Sequence, residues 1–237
     1  MPEAQYTIQV TNSTGQIHDY LFLTEAPQSQ GLPGIQEIYA SIWDRKAHVP
    51  INEHRTFAVQ FTDYAVSGTA MKALANGVSI ATSSFVAVET NRKGLKPGTI
   101  ASLETVPGEN GRPQFTKSFG KTTKDNAFGI STKNFKSSGT KSYFCGYGKK
   151  NQHGEVVPVC TWVPSGGMTY EIAPVLTYYV GTGPQVPGTV VDPSKMGQVA
   201  KIDFSTAPAG QTVATVIHNA DGTFSPPVYT EPVENQP

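Results

Sequence analysis

The chain has 237 residues, 38% of them hydrophobic and 15% charged, and its 18 basic side chains balance its 18 acidic ones. That hydrophobic content supports a packed core rather than disorder, and the neutral balance argues against a protein built mainly to hold nucleic acid or an anionic membrane, since both draw on excess Lys and Arg. No run of eighteen apolar residues occurs, so no membrane-spanning helix is expected.

From the first residues the sequence reads at a period of two. Tyr6, Ile8 and Val10 alternate with Thr7, Gln9 and Thr11, which predicts a strand with one buried face. Asn12-Ser13-Thr14-Gly15 then supplies a turn; it also matches a glycosylation pattern, but the turn is the better reading. Strand-like runs follow at 20–23, 38–43, 56–61, 78–88, 99–106, 143–147, 156–163, 169–180, 199–204, 212–217 and 223–229, separated by Gly, Pro, Asn and Ser. The nearest approach to a helix is 70–76, where Gly68 and Gly77 leave room for one or two turns. The expected fold is therefore all-β: a single antiparallel β-sandwich, jelly-roll-like domain with long loops over residues 1–225.

Two stretches break this rhythm. Between Val106 and Ser142 the chain is rich in Lys, Thr, Ser and Gly, and four rings, Phe115, Phe119, Phe128 and Phe135, predict long loops and edge strands rather than a linker. Residues 226–237 carry four prolines and should run extended along the surface, because proline cannot donate to a central ladder. A loose tail is the plain reading, and a strap reaching a second subunit, in a homodimer, is the sharper one. The N-terminus lacks a basic segment followed by an apolar one, so a cytoplasmic location is expected.

The two cysteines flank a polar turn, 149–155. A symmetric hairpin would set Cys145 opposite Cys160, within disulfide range, although a reducing compartment favours two buried free thiols. The five histidines, His18, His48, His54, His153 and His218, fall in turns or at strand ends without the spacing of a metal site. His18-Asp19 and Glu53-His54 join imidazole to carboxylate, but neighbours on a strand point to opposite faces. His218-Asn219-Ala220-Asp221-Gly222 reads as a hairpin turn before it reads as a cation site. The metal content is left open by these residues.

No nucleophile elbow, dinucleotide loop or phosphate-binding loop is present, so no catalytic residue is assigned and an enzyme is not expected. Eight of the fourteen lysines lie between Lys117 and Lys150, interleaved with aromatic residues. Such lysines ordinarily blunt sheet edges while the rings pack inward, but rings beside cations also bind planar ligands. On that second reading Phe135, Tyr143, Phe144 and Tyr147, with Trp162 and Trp43 at a pocket mouth, are the candidate ligand-binding residues.

Five blocks, YTIQVTNSTG (6–15), FTDYAVSG (61–68), VCTWVP (159–164), TYYVGTG (177–183) and VAKIDFS (199–205), together resemble small fungal β-sandwich proteins, among them the chromoproteins of oyster-type mushrooms. The resemblance spans most of the chain and carries over no ligand residue. It implies a non-catalytic binding protein whose cofactor is a small aromatic chromophore, held non-covalently as a pigment. A lectin-like or storage protein and a metal-assisted enzyme using loop Asp and His are the alternatives. The expected partner is a small-molecule ligand, with neither nucleic acid nor membrane.

Overall fold

A computed structural model describes residues 4–27, 35, 37–92, 95–106, 111–136 and 142–232. Among them the chain is all-β, with one short 3-10 turn, Pro193–Lys195, and no α-helix. Of residues 70–76, the nearest approach to a helix in the sequence, Ala70 ends a strand and the others form bends leading into a turn.

Four sheets are present. The first has the order β18 (Val228–Thr230), β17 (Val213–His218), β1 (Ala4–Asn12), β5 (His54–Gln60). The second runs β16 (Ala200–Asp203), β14 (Thr177–Thr182), β2 (His18–Thr24), β4 (Asp44–Val49). The third runs β15 (Val190–Val191), β3 (Tyr39–Ser41), β12 (Val156–Trp162), β11 (Ser142–Lys150), β6 (Asp63–Ala70), β7 (Ile80–Val88). The fourth runs β13 (Thr169–Ile172), β10 (Phe128–Ser131), β8 (Gly98–Thr105), β9 (Pro113–Thr122).

Two pairings depart from the antiparallel expectation: β1 lies parallel to β17, and β8 parallel to β10. Alternation in sequence reports which face of a strand is buried, not the direction of its neighbour. The expected run 169–180 also divides. Pro174 has no amide to donate, and the chain on its two sides joins different sheets, β13 the fourth and β14 the second.

The third sheet rolls until its edges meet. Val190 donates its amide to Val78 O at 2.8 Å, Ile80 donates to Gly188 O at 2.8 Å, and Ser79 bridges Thr189. Glycines allow the curl: a Cβ at Gly68 would overlap the Ala81 carbonyl, and one at Gly146 would overlap the Cys160 carbonyl. Inside the curl Phe144 packs with Ala70, Leu74, Ile80 and Val190.

Side chains of all four sheets share one hydrophobic core, with Ile8, Val10 and Val216 from the first, Phe22 and Val180 from the second, Trp162 from the third and Ile130 from the fourth. The alternation expected in β1 holds, Ile8 and Val10 being fully buried and Tyr6 half-buried. Of the four phenylalanines in the irregular stretch, Phe115, Phe128 and Phe135 are buried and Phe119 is 50% exposed. The proline-rich end supplies an edge strand, β18, pinned by Tyr229: its hydroxyl accepts from the Asp203 amide at 2.9 Å and donates to the Asp203 carbonyl at 3.0 Å. The remainder of that segment beyond 232 lies outside the described residues.

The cysteine register is corrected. Lys150 faces Val156, one residue later than a symmetric hairpin requires, and a bulge beyond Tyr147 adds another. Cys145 therefore faces Trp162, while Tyr147 faces Cys160. The two thiols are diagonal neighbours on one face, both free and buried.

Candidate functional site

Residues 39–49 pass from the third sheet to the second, and a cleft opens beside this crossing. β3 is only three residues long because the strand must leave the third sheet at once: Ile42 bonds Thr189 O at 2.9 Å, and the next amide, Trp43, donates to Phe22 O in the second sheet at 3.0 Å. The Trp43 ring anchors the change of sheet against Phe22, with centroids 4.9 Å apart. β4 then continues in the second sheet, its polar residues tied down by the Arg45–Asp19 ion pair and by Lys46 over the Phe57 ring.

The cleft has a volume of about 780 Å³, within the range of small-molecule sites. Leu74, Val190, Val191 and Ala40 contribute apolar surface, and Tyr39 and Tyr179 contribute rings. Two small apolar clusters support it: Phe144, Leu74 and Val190, against which Tyr39 packs, and Leu21, Leu23, Ile42 and Val191, against which Tyr179 packs. Glu25, Glu37 and Asp192 bring carboxylates, Lys195 an ammonium and Asn76 an amide.

One wall is a built turn. Asp192 caps the 3-10 segment, its Oδ1 accepting from the Ser194 amide at 3.0 Å and the Ser194 hydroxyl at 2.6 Å, with Pro193 at the first helical position. These hydrogen bonds and Lys195 Nζ, 3.3 Å from Oδ2, hold the Asp192 carboxyl below the usual range. The Asp192 amide donates to Asn76 Oδ1 at 3.0 Å, so the turn is tied to the β6–β7 connection. Elsewhere in the lining Tyr39 donates its hydroxyl to Glu37 Oε2 at 2.7 Å, and that bond raises the phenol to about 12.

None of the six aromatic candidates from the sequence lines this cleft. Phe135, Tyr143, Phe144, Tyr147, Trp162 and Trp43 are all at most 4% exposed. Phe144 lies in the apolar cluster supporting the cleft, and the other five belong to the main core. Phe135 meets Tyr143 edge-on at 5.8 Å, and Trp162 meets Tyr170 at 5.4 Å. Tyr147 spends its hydroxyl on Asp63 Oδ1 at 3.0 Å, and Asp63 in turn pairs with the buried Lys149 at 2.8 Å. Burial, then the neighbouring Asp63 charge, pushes the Tyr147 phenol well up. Of the rings in the lysine-rich stretch, Phe128, Phe135, Tyr143, Phe144 and Tyr147 pack inward, while Phe119 stays half exposed. Sequence reasoning missed Tyr39, Tyr179 and the acidic residues because they come from four separated segments. The one local signal was Asp192-Pro193-Ser194, a capping pattern.

A second constellation lies at the other end of β2. His18 and His218, 200 positions apart in the chain, bring their rings to 4.9 Å. Phe224 stacks on His218 at 4.4 Å, and the Tyr20 hydroxyl hydrogen-bonds His218 Nδ1 at 3.1 Å. Among the described residues no group of three His, Cys, Asp or Glu side chains is placed to hold a metal ion. Asn12, the glycosylation candidate, is fully buried, and its amide donates to Gln16 O, Val49 O and Pro50 O at 2.7, 3.0 and 3.2 Å. Asp221 accepts from the amide and hydroxyl of Thr223 at 2.9 and 2.7 Å in the expected turn, with Gly222 at φ +80°.

Comparison with family models, with characterised proteins and with solved structures finds no match to this chain.

Proposed function

We infer that this is a non-catalytic binding protein that holds a small aromatic ligand, without a covalent bond, in the cleft beside β3. The observation that carries this reading is the cleft itself, about 780 Å³ of space with apolar surface and the rings of Tyr39 and Tyr179 in its lining. Tyrosine rings favour a flat partner, because offset stacking adds to the area buried. The sandwich arrangement belongs to the same reading, supported by the core that β1 and β17 share with β2 and β14. A pigment as the ligand and a fungal source rest on the sequence resemblance alone.

Two measurements test the reading. Protein from its natural source is examined for a visible absorption band that leaves on denaturation, with mass spectrometry of the released molecules. The recombinant chain is titrated with planar aromatic compounds while tyrosine signals are followed by NMR. Saturable binding that shifts Tyr39 and Tyr179, and is lost in Tyr179→Ala, supports the cleft. Saturable binding unaffected by Tyr179→Ala, or no bound molecule and no binding across the panel, overturns it.

A further inference from the structure

The cleft is rich in acceptors and poor in free donors. Its lining carries three carboxylates, Glu25, Glu37 and Asp192, against one ammonium, Lys195. Most of the donors are spent on the lining itself: the Ser194 amide and hydroxyl and the Lys195 ammonium go to Asp192 and the Tyr39 hydroxyl goes to Glu37, which leaves the neutral Asn76 amide nitrogen. Only one carboxylate thereby meets a cation of the lining. Lys201, outside the lining, stands 3.7 Å from Glu25, with its Nζ 5.8 Å from the Tyr179 ring centre. An ammonium group beside a carboxylate and over a tyrosine face is thus an arrangement this rim already holds. Glu37 has no cation within 4 Å among the described residues, and its partner there is the neutral Tyr39 phenol.

We propose that the ligand of this cleft is a cation, an amine carried on an aromatic body, whose ammonium pairs with Glu37 while its ring packs against tyrosine and the apolar lining. This rests on the cleft being the ligand site. It deepens that reading by naming the charge. An anionic ligand is disfavoured by the same residues, since it would meet three carboxylates against one ammonium already paired with Asp192.

The test uses three probes of matched shape with the full chain at low salt: phenethylamine, 2-phenylethanol and phenylacetate. Phenethylamine is expected to bind about five- to tenfold more tightly than the alcohol, with phenylacetate weakest. Glu37→Gln keeps an acceptor for Tyr39 and should remove most of that preference, leaving the alcohol unchanged and the circular dichroism spectrum native. Added salt should weaken the amine alone. If the alcohol or phenylacetate binds at Tyr39 and Tyr179 as well as the amine does, or if Glu37→Gln leaves the preference intact, the cationic assignment falls and the cleft stands. If none of the three shifts either tyrosine, the proposal and the cleft reading fall together.

Discussion

His218 is 4% exposed, stacked on Phe224 and bonded to Tyr20, with a second imidazole 4.9 Å away. Burial, and then the His18 charge, hold its pKa below the ordinary 6.5. As pH falls, the unfolded chain takes up this proton first, so the folded state loses stability through the window from about 6.5 down to the lowered folded value, and none is lost above it. Urea midpoints should therefore fall between pH 7.5 and pH 5.5. His218→Phe, which keeps the stack and removes the titration, should be less stable at pH 7.5 but flatter across that window. The thiols offer a second prediction at this scale. Burial pushes Cys145 well up and Cys160 to about 12, and Cys145 is raised further by Cys160. Since the thiolate is the reactive form, a thiol reagent should find neither cysteine in the native protein within the minutes it needs to find both in urea.

The strands show how far local pattern reaches. In β1 and β2 the alternation or apolar run was visible and the elements form where expected, because their side chains meet the core on faces set by the pleat. β4 has no such pattern: Asp44–Val49 opens with three charged residues, and it is a strand because β2 offers it an edge and Asp19 takes the charge of Arg45. For β9 and β10 the sequence predicts only edge strands and loops around four rings, and three of those rings reach the interior. The β11–β12 hairpin was legible as a pair but not in register, since nothing local to 149–155 announces the later turn or the bulge that separates the cysteines. The curl of the third sheet yields the prediction at this scale. Gly146→Ala would drive a Cβ into the Cys160 carbonyl and to 2.9 Å from Thr161 Cα, both backbone. It should cost about 3 kcal/mol in denaturant unfolding. Gly120→Ala, whose Cβ meets the Ile100 side chain at 3.3 Å, should cost less.

At the scale of the whole molecule, strands far apart in the sequence close the first sheet. β1 lies between β5 and β17, and its parallel register with β17 joins Thr7 to Val213 and Asn12 to His218. Ending the chain at Thr206 would remove β17 and β18, take Ala214 and Val216 from the core and open the edge of β1. Such a chain is expected to lose near-ultraviolet circular dichroism and a cooperative unfolding transition. Pairings this distant also predict refolding in milliseconds to seconds rather than microseconds.

The sequence by itself determined that the chain is all-β, that Ile8 and Val10 go inward and that Asp221-Gly222 turns. Each follows from a property of one residue or of neighbours two apart. The tertiary structure alone decided which strands run parallel, that Cys145 faces Trp162, that His18 meets His218, and that Tyr39, Tyr179 and three carboxylates border one cleft. These are relations between segments tens to hundreds of residues apart, set by which surfaces bury one another when the third sheet rolls shut, and no local periodicity encodes such a choice.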